Sequence, residues 1–317
     1  MENLIIDTDL GFDCDDAGAL AVANKLHNEG KIKILAVTHS VNRKIGGDAI
    51  RAVNEYYGNP DIPIGVAERY ALNVDKIYEE FYAKFHYAED FAGWKEKPTF
   101  YKIPNALNLE RYAGQEYPSA EEVIKNALEP SEDKSVTFVC IGQANNVADF
   151  LDFDEELFLR KVKRVVVMCG DFTDYDKEFL SGGVYYKGEF NVTLDIRSMQ
   201  RLFAEKNLPC FVLDFNQGVD VLAGETLRNQ TDNPVYKAYA AHGNGVNFNL
   251  PSWDVMAVLF AVGSYESLFT VGEKGTVGID DNGKSTFKAG TGEHRLIFRA
   301  VSAGEFADVI NEELSGE

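Results

Sequence analysis

Three observations predict an α/β protein built on a doubly wound, mainly parallel sheet. Strand-like apolar runs alternate with helical segments through most of the chain. Runs such as Ser-Val-Thr-Phe-Val-Cys-Ile (135–141) and Val-Lys-Arg-Val-Val-Val-Met (162–168) are nearly continuous apolar stretches, as strands covered on both faces require. Acidic and small polar residues gather where these runs end, the edge at which open α/β sheets take their ligands.

The elements follow in order. Leu4-Ile5-Ile6 is a short buried strand, Gly11 permits a tight turn, and the small-residue run from Ala17 to Ala23 starts a helix. A second strand covers 32–37, followed by a helix over 47–57 with Ala49, Ile50 and Val53 on one face. Gly58-Asn59-Pro60 stops that helix, and 62–66 is a third strand. Residues 68–117, rich in aromatics and charges but without a period, read as an excursion with short helices. Helices are expected over 119–128, 145–151, 196–206 and 255–262, and strands over 135–141, 162–168 and 210–213. From Thr270 the pattern changes to a hairpin about Asp281-Asn282-Gly283, a strand at 295–298 and a closing helix near 306–314. No repeat or low-complexity linker interrupts this pattern, so 1–317 reads as a single domain.

Composition narrows the function. The chain has 317 residues, 45% of them apolar and 12% aromatic, enough for a sizeable core. A formal charge of −20 argues against nucleic acid or an anionic membrane as partner and leaves neutral or cationic ligands and metal ions. Met1-Glu2-Asn3 lacks a basic leader, and no run approaches the roughly 18 apolar residues of a membrane span. Cys14, Cys140, Cys169 and Cys210 are scattered without a CxxC pair, which suits buried reduced thiols in a cytoplasmic protein.

The most informative stretch is Ile5-Ile6-Asp7-Thr8-Asp9-Leu10-Gly11-Phe12-Asp13-Cys14-Asp15-Asp16, which puts five carboxylates within ten residues just after a strand. Crowded carboxylates repel one another and cannot all stay ionised without a countercharge. An ion with a taste for hard oxygen ligands, Ca²⁺ or Mg²⁺, is the usual remedy. One aspartate here would be read as the N-cap of the following helix; five are too many for that role. Later strand ends add Thr38-His39-Ser40-Val41-Asn42, Gly142-Gln143-Ala144-Asn145-Asn146, Met168-Cys169-Gly170-Asp171, Glu189-Phe190-Asn191 and Ser252-Trp253-Asp254. Singly each is ordinary capping or loop chemistry; together they line one edge of one sheet.

Two families resemble these residues. Asp7-Thr8-Asp9 is similar to the first motif of haloacid-dehalogenase-type phosphatases, and Cys169-Gly170-Asp171-Phe172-Thr173-Asp174 to their distal acidic motif. That likeness implies an Asp7 nucleophile, an Asp9 general acid/base and Mg²⁺ held by Asp7 and Asp171. It expects Thr or Val where Gly11 stands and has no use for Asp15-Asp16. The chain more fully resembles the inosine-uridine-preferring nucleoside hydrolases. Their Asp-x-Asp-x-Gly signature and Asp-Asp-Ala helix start match Asp7-Thr8-Asp9-Leu10-Gly11 and Asp15-Asp16-Ala17. Asn42, Pro60-Asp61-Ile62-Pro63-Ile64-Gly65, Ile141-Gly142 through Asn145-Asn146, Met168, Glu189-Phe190-Asn191 and Asp254 follow in family order.

This second resemblance implies a nucleoside hydrolase-like fold, a nucleoside substrate and no partner beyond a dimer or tetramer of the chain itself. It also implies one Ca²⁺ held by Asp9, Asp16, the Asn145 carbonyl and Asp254. Asp9 would remove the proton of an attacking water, while Asp15, Asn42, Glu189 and Asn191 hold ribose hydroxyls and Met168 packs on the sugar. Three departures stand out. The acidic loop is two residues longer than the commonest form, with Asp13-Cys14 the natural insertion, so whether Asp13 or Asp15 meets the ribose stays open. Trp253 replaces the histidine that nonspecific members carry before the distant aspartate, which is similar to the purine-preferring branch, where stacking helps the base depart. Residues 181–188 lack the asparagine that usually helps bind the 5′-hydroxyl, so a ribose-binding protein without turnover is the alternative from another class. His39, His86 and His242 remain as acids for the leaving group, His242 on a glycine-rich loop.

Overall fold

The computed structural model describes residues 1–69, 102–172 and 188–315. The chain begins β1 (Glu2–Thr8), α1 (Asp15–Asn28), β2 (Ile32–His39), α2 (Lys44–Tyr56) and β3 (Ile64–Val66). Beyond residue 101 come α3 (Lys102–Ala106), α4 (Ala120–Leu128), β4 (Val136–Cys140), α5 (Asn145–Lys161) and β5 (Val162–Met168). Beyond residue 187 come α6 (Phe190–Leu194), α7 (Ile196–Ala204), β6 (Cys210–Leu213), α8 (Phe215–Gly218) and β7 (Leu222–Ala223). Then follow α9 (Pro234–His242), β8 (Leu250–Pro251), α10 (Asp254–Val262), β9 (Phe269–Val271), β10 (Gly275–Ile279), β11 (Ser285–Ala289), β12 (Arg295–Arg299) and α11 (Ala303–Leu314).

Eight strands form the central sheet in the order β3-β2-β1-β4-β5-β6-β12-β9. Every neighbouring pair is parallel except β12 and β9, which run antiparallel at the edge. The chain starts at β1, winds outward through β2 and β3, then returns to the other side of β1 as β4. That reversal opens a crevice at the carboxyl ends of β1, β2 and β4, where doubly wound sheets bind ligands.

The strands alternate their side chains between two apolar layers. Leu4 and Ile6 face the layer that includes Ala19 and Leu20 of α1, Ile50 of α2, Tyr239 of α9, Val258 of α10 and Phe306 of α11. Ile5 faces the other layer, with Ile124 of α4, Phe150 of α5 and Leu202 of α7. All four cysteines are buried and free, as expected. No helix among the described residues is long and apolar enough to cross a membrane.

Three details go beyond the sequence expectation. The helix expected over 145–151 runs on to Lys161 across a kink at Asp154 (φ −149°), whose Oδ1 accepts from Leu157 N at 2.9 Å and caps the second half. The strand expected at 295–298 is present at Arg295–Arg299 and joins the main sheet beside β6, and the expected hairpin is β10–β11. Helix α9 was not expected, although Asn233-Pro234 announces it. Pro234 stands in the first turn and Asn233 Oδ1 accepts from Val235 N at 2.9 Å. His242 is therefore the last residue of a helix, not part of the glycine-rich loop after it. Of the 68–117 excursion, α3 and a short helical turn at Leu109–Tyr112 are described, while His86 lies outside the described residues.

Candidate active site

Strand β1 delivers Asp7 and Thr8 into the crevice, and Gly11 (φ 146°) turns the chain back toward α1 in a backbone region that L side chains avoid. Cys14 is the residue flanking α1, so Asp15 and Asp16 belong to its first turn rather than capping it. Negative charge there is favoured by the helix dipole. Both are buried, with Asp7 and Asp9 beside them.

Backbone and side-chain hydrogen bonds sew this loop to its neighbours. Ser40 N donates to Thr8 O (2.9 Å) and Ile141 N to Asp7 O (2.8 Å), continuing the β2 and β4 ladders past their ends. Thr38 Oγ1 and Asn146 Nδ2 both donate to Asp7 Oδ1, at 2.6 and 2.7 Å. Asn145 Nδ2 and Gln143 Nε2 both donate to Ser40 O, at 2.8 and 2.9 Å. Gly142 lets these segments meet, since a Cβ there would stand 2.7 Å from Ser40 Oγ and 2.9 Å from Asp9 Cβ. Thr8 Oγ1 donates to Asp16 Oδ1, fixing that carboxylate's direction.

The distant aspartate arrives from the other end of the chain. Asp15 Oδ2 accepts from Trp253 N (2.7 Å) and Asp254 N (3.1 Å), so one carboxylate of α1 caps the start of α10. Carboxylate oxygens of Asp15, Asp16 and Asp254 lie within 4.8 Å of one another. Asp9, buried in the same loop, feels their charge. Burial first, then the charges of Asp15, Asp13 and Asp7, holds the Asp9 carboxyl well above the carboxylate range. Asp16 is raised by burial and then by Asp9 and Asp15, and Asp254 by burial and then by Asp15, Asp16 and Asp9. Asp15 is pushed up to about 8 by burial and Asp13, and Asp7 to about 7 by burial.

This set fits a hard divalent cation. Its donors are all oxygen, the carboxylates are buried, and their mutual repulsion calls for a positive charge. Asp7 Oδ2, Gln143 Oε1 and Asn145 Oδ1 are buried acceptors that meet no donor among the described residues.

The remaining residues line the same edge. Glu189 precedes α6 and accepts from Gly170 N (2.9 Å), Asn191 N (2.8 Å) and Val192 N (3.2 Å); burial raises its carboxyl despite these donors. Asn191 Nδ2 donates to Met168 O at 3.2 Å and lies 3.3 Å from its sulfur, joining three expected site residues into one unit at the end of β5. Asn42 stands after β2 and donates to the Glu68 carbonyl. Trp253 is half-buried, with Nε1 donating to Phe215 O at 2.6 Å and the ring 5.4 Å from that of Phe215. The inserted Asp13 lies 3.6 Å from His242. His39 is sealed in the interior between Val41 O (2.7 Å) and Leu10 O (3.3 Å), and burial lowers it to about 4. Sequence reasoning put Thr38, Ser40 and Asn146 at this edge but gave them, and Thr8, no role. Which partner each would bond is set by the neighbouring strands, which the sequence does not spell out.

The sequence model of the inosine-uridine preferring nucleoside hydrolases matches residues 4–303. Comparison with curated protein sequences gives no significant match. An inosine-uridine preferring nucleoside hydrolase from Bacillus anthracis is 17% identical, with 99% of each chain covered and a TM-score of 0.69. A plant nucleoside hydrolase is 18% identical, covering 100% of this chain and 99% of the other, with a TM-score of 0.71. A purine-preferring ribonucleoside hydrolase from Gardnerella vaginalis is 16% identical, covering 99% of this chain and 98% of the other, with a TM-score of 0.69. These structural likenesses establish the fold. With the family match over nearly the whole chain, they make this protein a member of the inosine-uridine preferring nucleoside hydrolase family, enzymes that act on N-glycosyl bonds.

Proposed function

We propose that this protein hydrolyses ribonucleosides to ribose and free base in the cytoplasm, with Ca²⁺ as its ion. The observation that carries the reading is the meeting of Asp15 and Asp16 with Asp254, more than 230 residues further along the chain, in one buried carboxylate cluster. Asp9, Asp16, Asp254 and the Asn145 carbonyl would hold the ion, which when bound polarises water and ribose hydroxyls as a Lewis acid. Asp9 takes a proton from the attacking water, and the water oxygen joins C1′ as the bond to the base breaks. The surrounding carboxylates stabilise the positive charge that builds on the sugar ring. Asp15 has one oxygen committed to α10, leaving Oδ1 for a ribose hydroxyl. Asn42, Glu189 and Asn191 contribute further polar contacts, and Met168 supplies an apolar one. Trp253 is suited to stack on a purine, a preference that the name of the Gardnerella relative supports.

A screen of purine and pyrimidine nucleosides with reducing-sugar detection, run beside a generic phosphatase substrate, tests this reading. Ribose release from at least one nucleoside in Ca²⁺, and none in chelator, is the expected result. Phosphate release alone would reverse the assignment. Asp7 offers a second discrimination. Its carboxyl is fully buried, with two donors on one oxygen, whereas a phosphoryl acceptor needs an open face. Asp7→Asn is therefore expected to retain measurable nucleosidase turnover, down about 10–100-fold through loosened orientation of the loop. A phosphoaspartate trapped at Asp7 would contradict it.

A further inference from the structure

We propose that Asp13, Cys14 and His242 form a second cation site, one that takes Zn²⁺ and stands apart from the all-oxygen cluster, independent of the nucleosidase reading. A carboxylate oxygen of Asp13, the Cys14 sulfur and a ring nitrogen of His242 all lie within 4.8 Å of one another. Among the described residues no other cysteine belongs to such a group. His242 Nε2 stands 3.6 Å from Asp13 Oδ1, too far for a hydrogen bond. Two ligands of one tetrahedral Zn²⁺, with bonds of about 2.0–2.2 Å, keep a similar spacing of about 3.3–3.6 Å.

Three ligands from two elements meet because the backbone around each is fixed. Cys14 flanks α1 with helical angles (φ −93°, ψ −21°), and its N–H donates to Asp13 Oδ1 at 2.5 Å. His242 ends α9, where Gly243 N donates to Tyr239 O at 2.8 Å and Gly245 N to Ala240 O at 2.7 Å. The two helices touch one turn away from these ligands. A Cβ on Gly18 of α1 would come within 2.6 Å of Tyr239 Oη, so only glycine lets the tyrosine lie there. Cys14 and Gly18 share one helix face, as do Tyr239 and His242, so this contact brings Cys14 and His242 together.

The donor set selects the ion. Thiolate and imidazole suit Zn²⁺, whereas the carboxylates of Asp15, Asp16 and Asp254 suit Ca²⁺. On binding, the Cys14 thiol proton passes to solvent, and thiolate and Asp13 together balance the two charges of the ion. The side chains of Asp13 and His242 are 37% and 35% exposed, which gives the ion a way in and leaves its fourth position to water. Cys14 is fully buried, which suits an inward ligand rather than a nucleophile. An ion held there clamps the lengthened acidic loop to α9.

Co²⁺ is the probe, because a thiolate bound to it gives a charge-transfer band in the near ultraviolet. The full chain is titrated with Co²⁺ and then Zn²⁺ in excess Ca²⁺, which keeps the all-oxygen cluster filled. The wild type should develop the band at one Co²⁺ per chain, and Zn²⁺ should abolish it. Cys14→Ser should show no band, and His242→Gln should bind Co²⁺ at least about tenfold more weakly. Asp254→Ala should keep the band. His242 is partly exposed, so its variant decides the matter even if Cys14→Ser fails to fold. A wild type without the band, a band that survives Cys14→Ser, or unchanged affinity in His242→Gln overturns the proposal. Loss of the band in Asp254→Ala overturns it too, by placing the ion in the carboxylate cluster.

Discussion

Stripped of divalent ions, the protein should lose stability steadily as pH rises from about 4 to about 8, and Ca²⁺ should restore it. Asp15 holds its proton up to about 8 and Asp7 up to about 7, against 3.8 for an ordinary aspartate. Asp9, Asp16 and Asp254 shift in the same direction. The folded chain thus binds more protons than the unfolded chain throughout that window. Stability is fully present below the unfolded value and is lost as pH climbs through the folded ones. Each unit of displacement corresponds to about 1.4 kcal/mol, so the cluster costs the ion-free protein several kcal/mol at pH 8. A cation bound among the ionised carboxylates removes that repulsion, and at a hundredfold excess over its Kd adds about 2.7 kcal/mol through binding alone. Melting curves from pH 4 to 8, in chelator and in Ca²⁺, measure both effects. A melting temperature in chelator that is flat across the window would contradict the expectation.

Asp254→Ala should separate folding from function. Residues that merely orient a ligand change metal affinity by about 10–100-fold, so deleting a direct carboxylate ligand should exceed about a hundredfold in Ca²⁺ affinity and in turnover. Without metal the sign reverses. The variant should outlast the wild type in chelator at pH 8, because a buried like charge beside Asp15, Asp16 and Asp9 has gone. The backbone N–H at 254 can still donate to Asp15, so the start of α10 stays capped. A variant that binds Ca²⁺ as tightly as the wild type would place the ion elsewhere.

How much of this was readable from residues alone depends on how each signal is encoded. The parallel strands declared themselves because burial on both faces forces continuous apolar runs, as at Val136–Cys140. The acidic loop was legible because five carboxylates have no cheap structural explanation. Thr38 and Asn146 were not, because one polar residue after a strand is usually a cap, and only the register of β2 and β4 beside β1 aims both at Asp7. Asp15 is the instructive case. Its neighbourhood was evident, but not that its Oδ2 would hold the backbone of Trp253 and Asp254. Helix α9 escaped because Ala-rich, Tyr-containing segments carry little periodicity, which hid the placement of His242.

That Asp15 carboxylate also bears on how the protein assembles. Its two partners stand 238 and 239 residues further along the chain. Contacts of such separation form late, because the intervening chain must first be ordered around them. On a ribosome, Asp9, Asp15 and Asp16 emerge early, and the proposed site stays half-built until Asp254 arrives. If the ion is held as proposed, its tight capture must wait for α10, and fragments ending before α10 should bind it with low affinity.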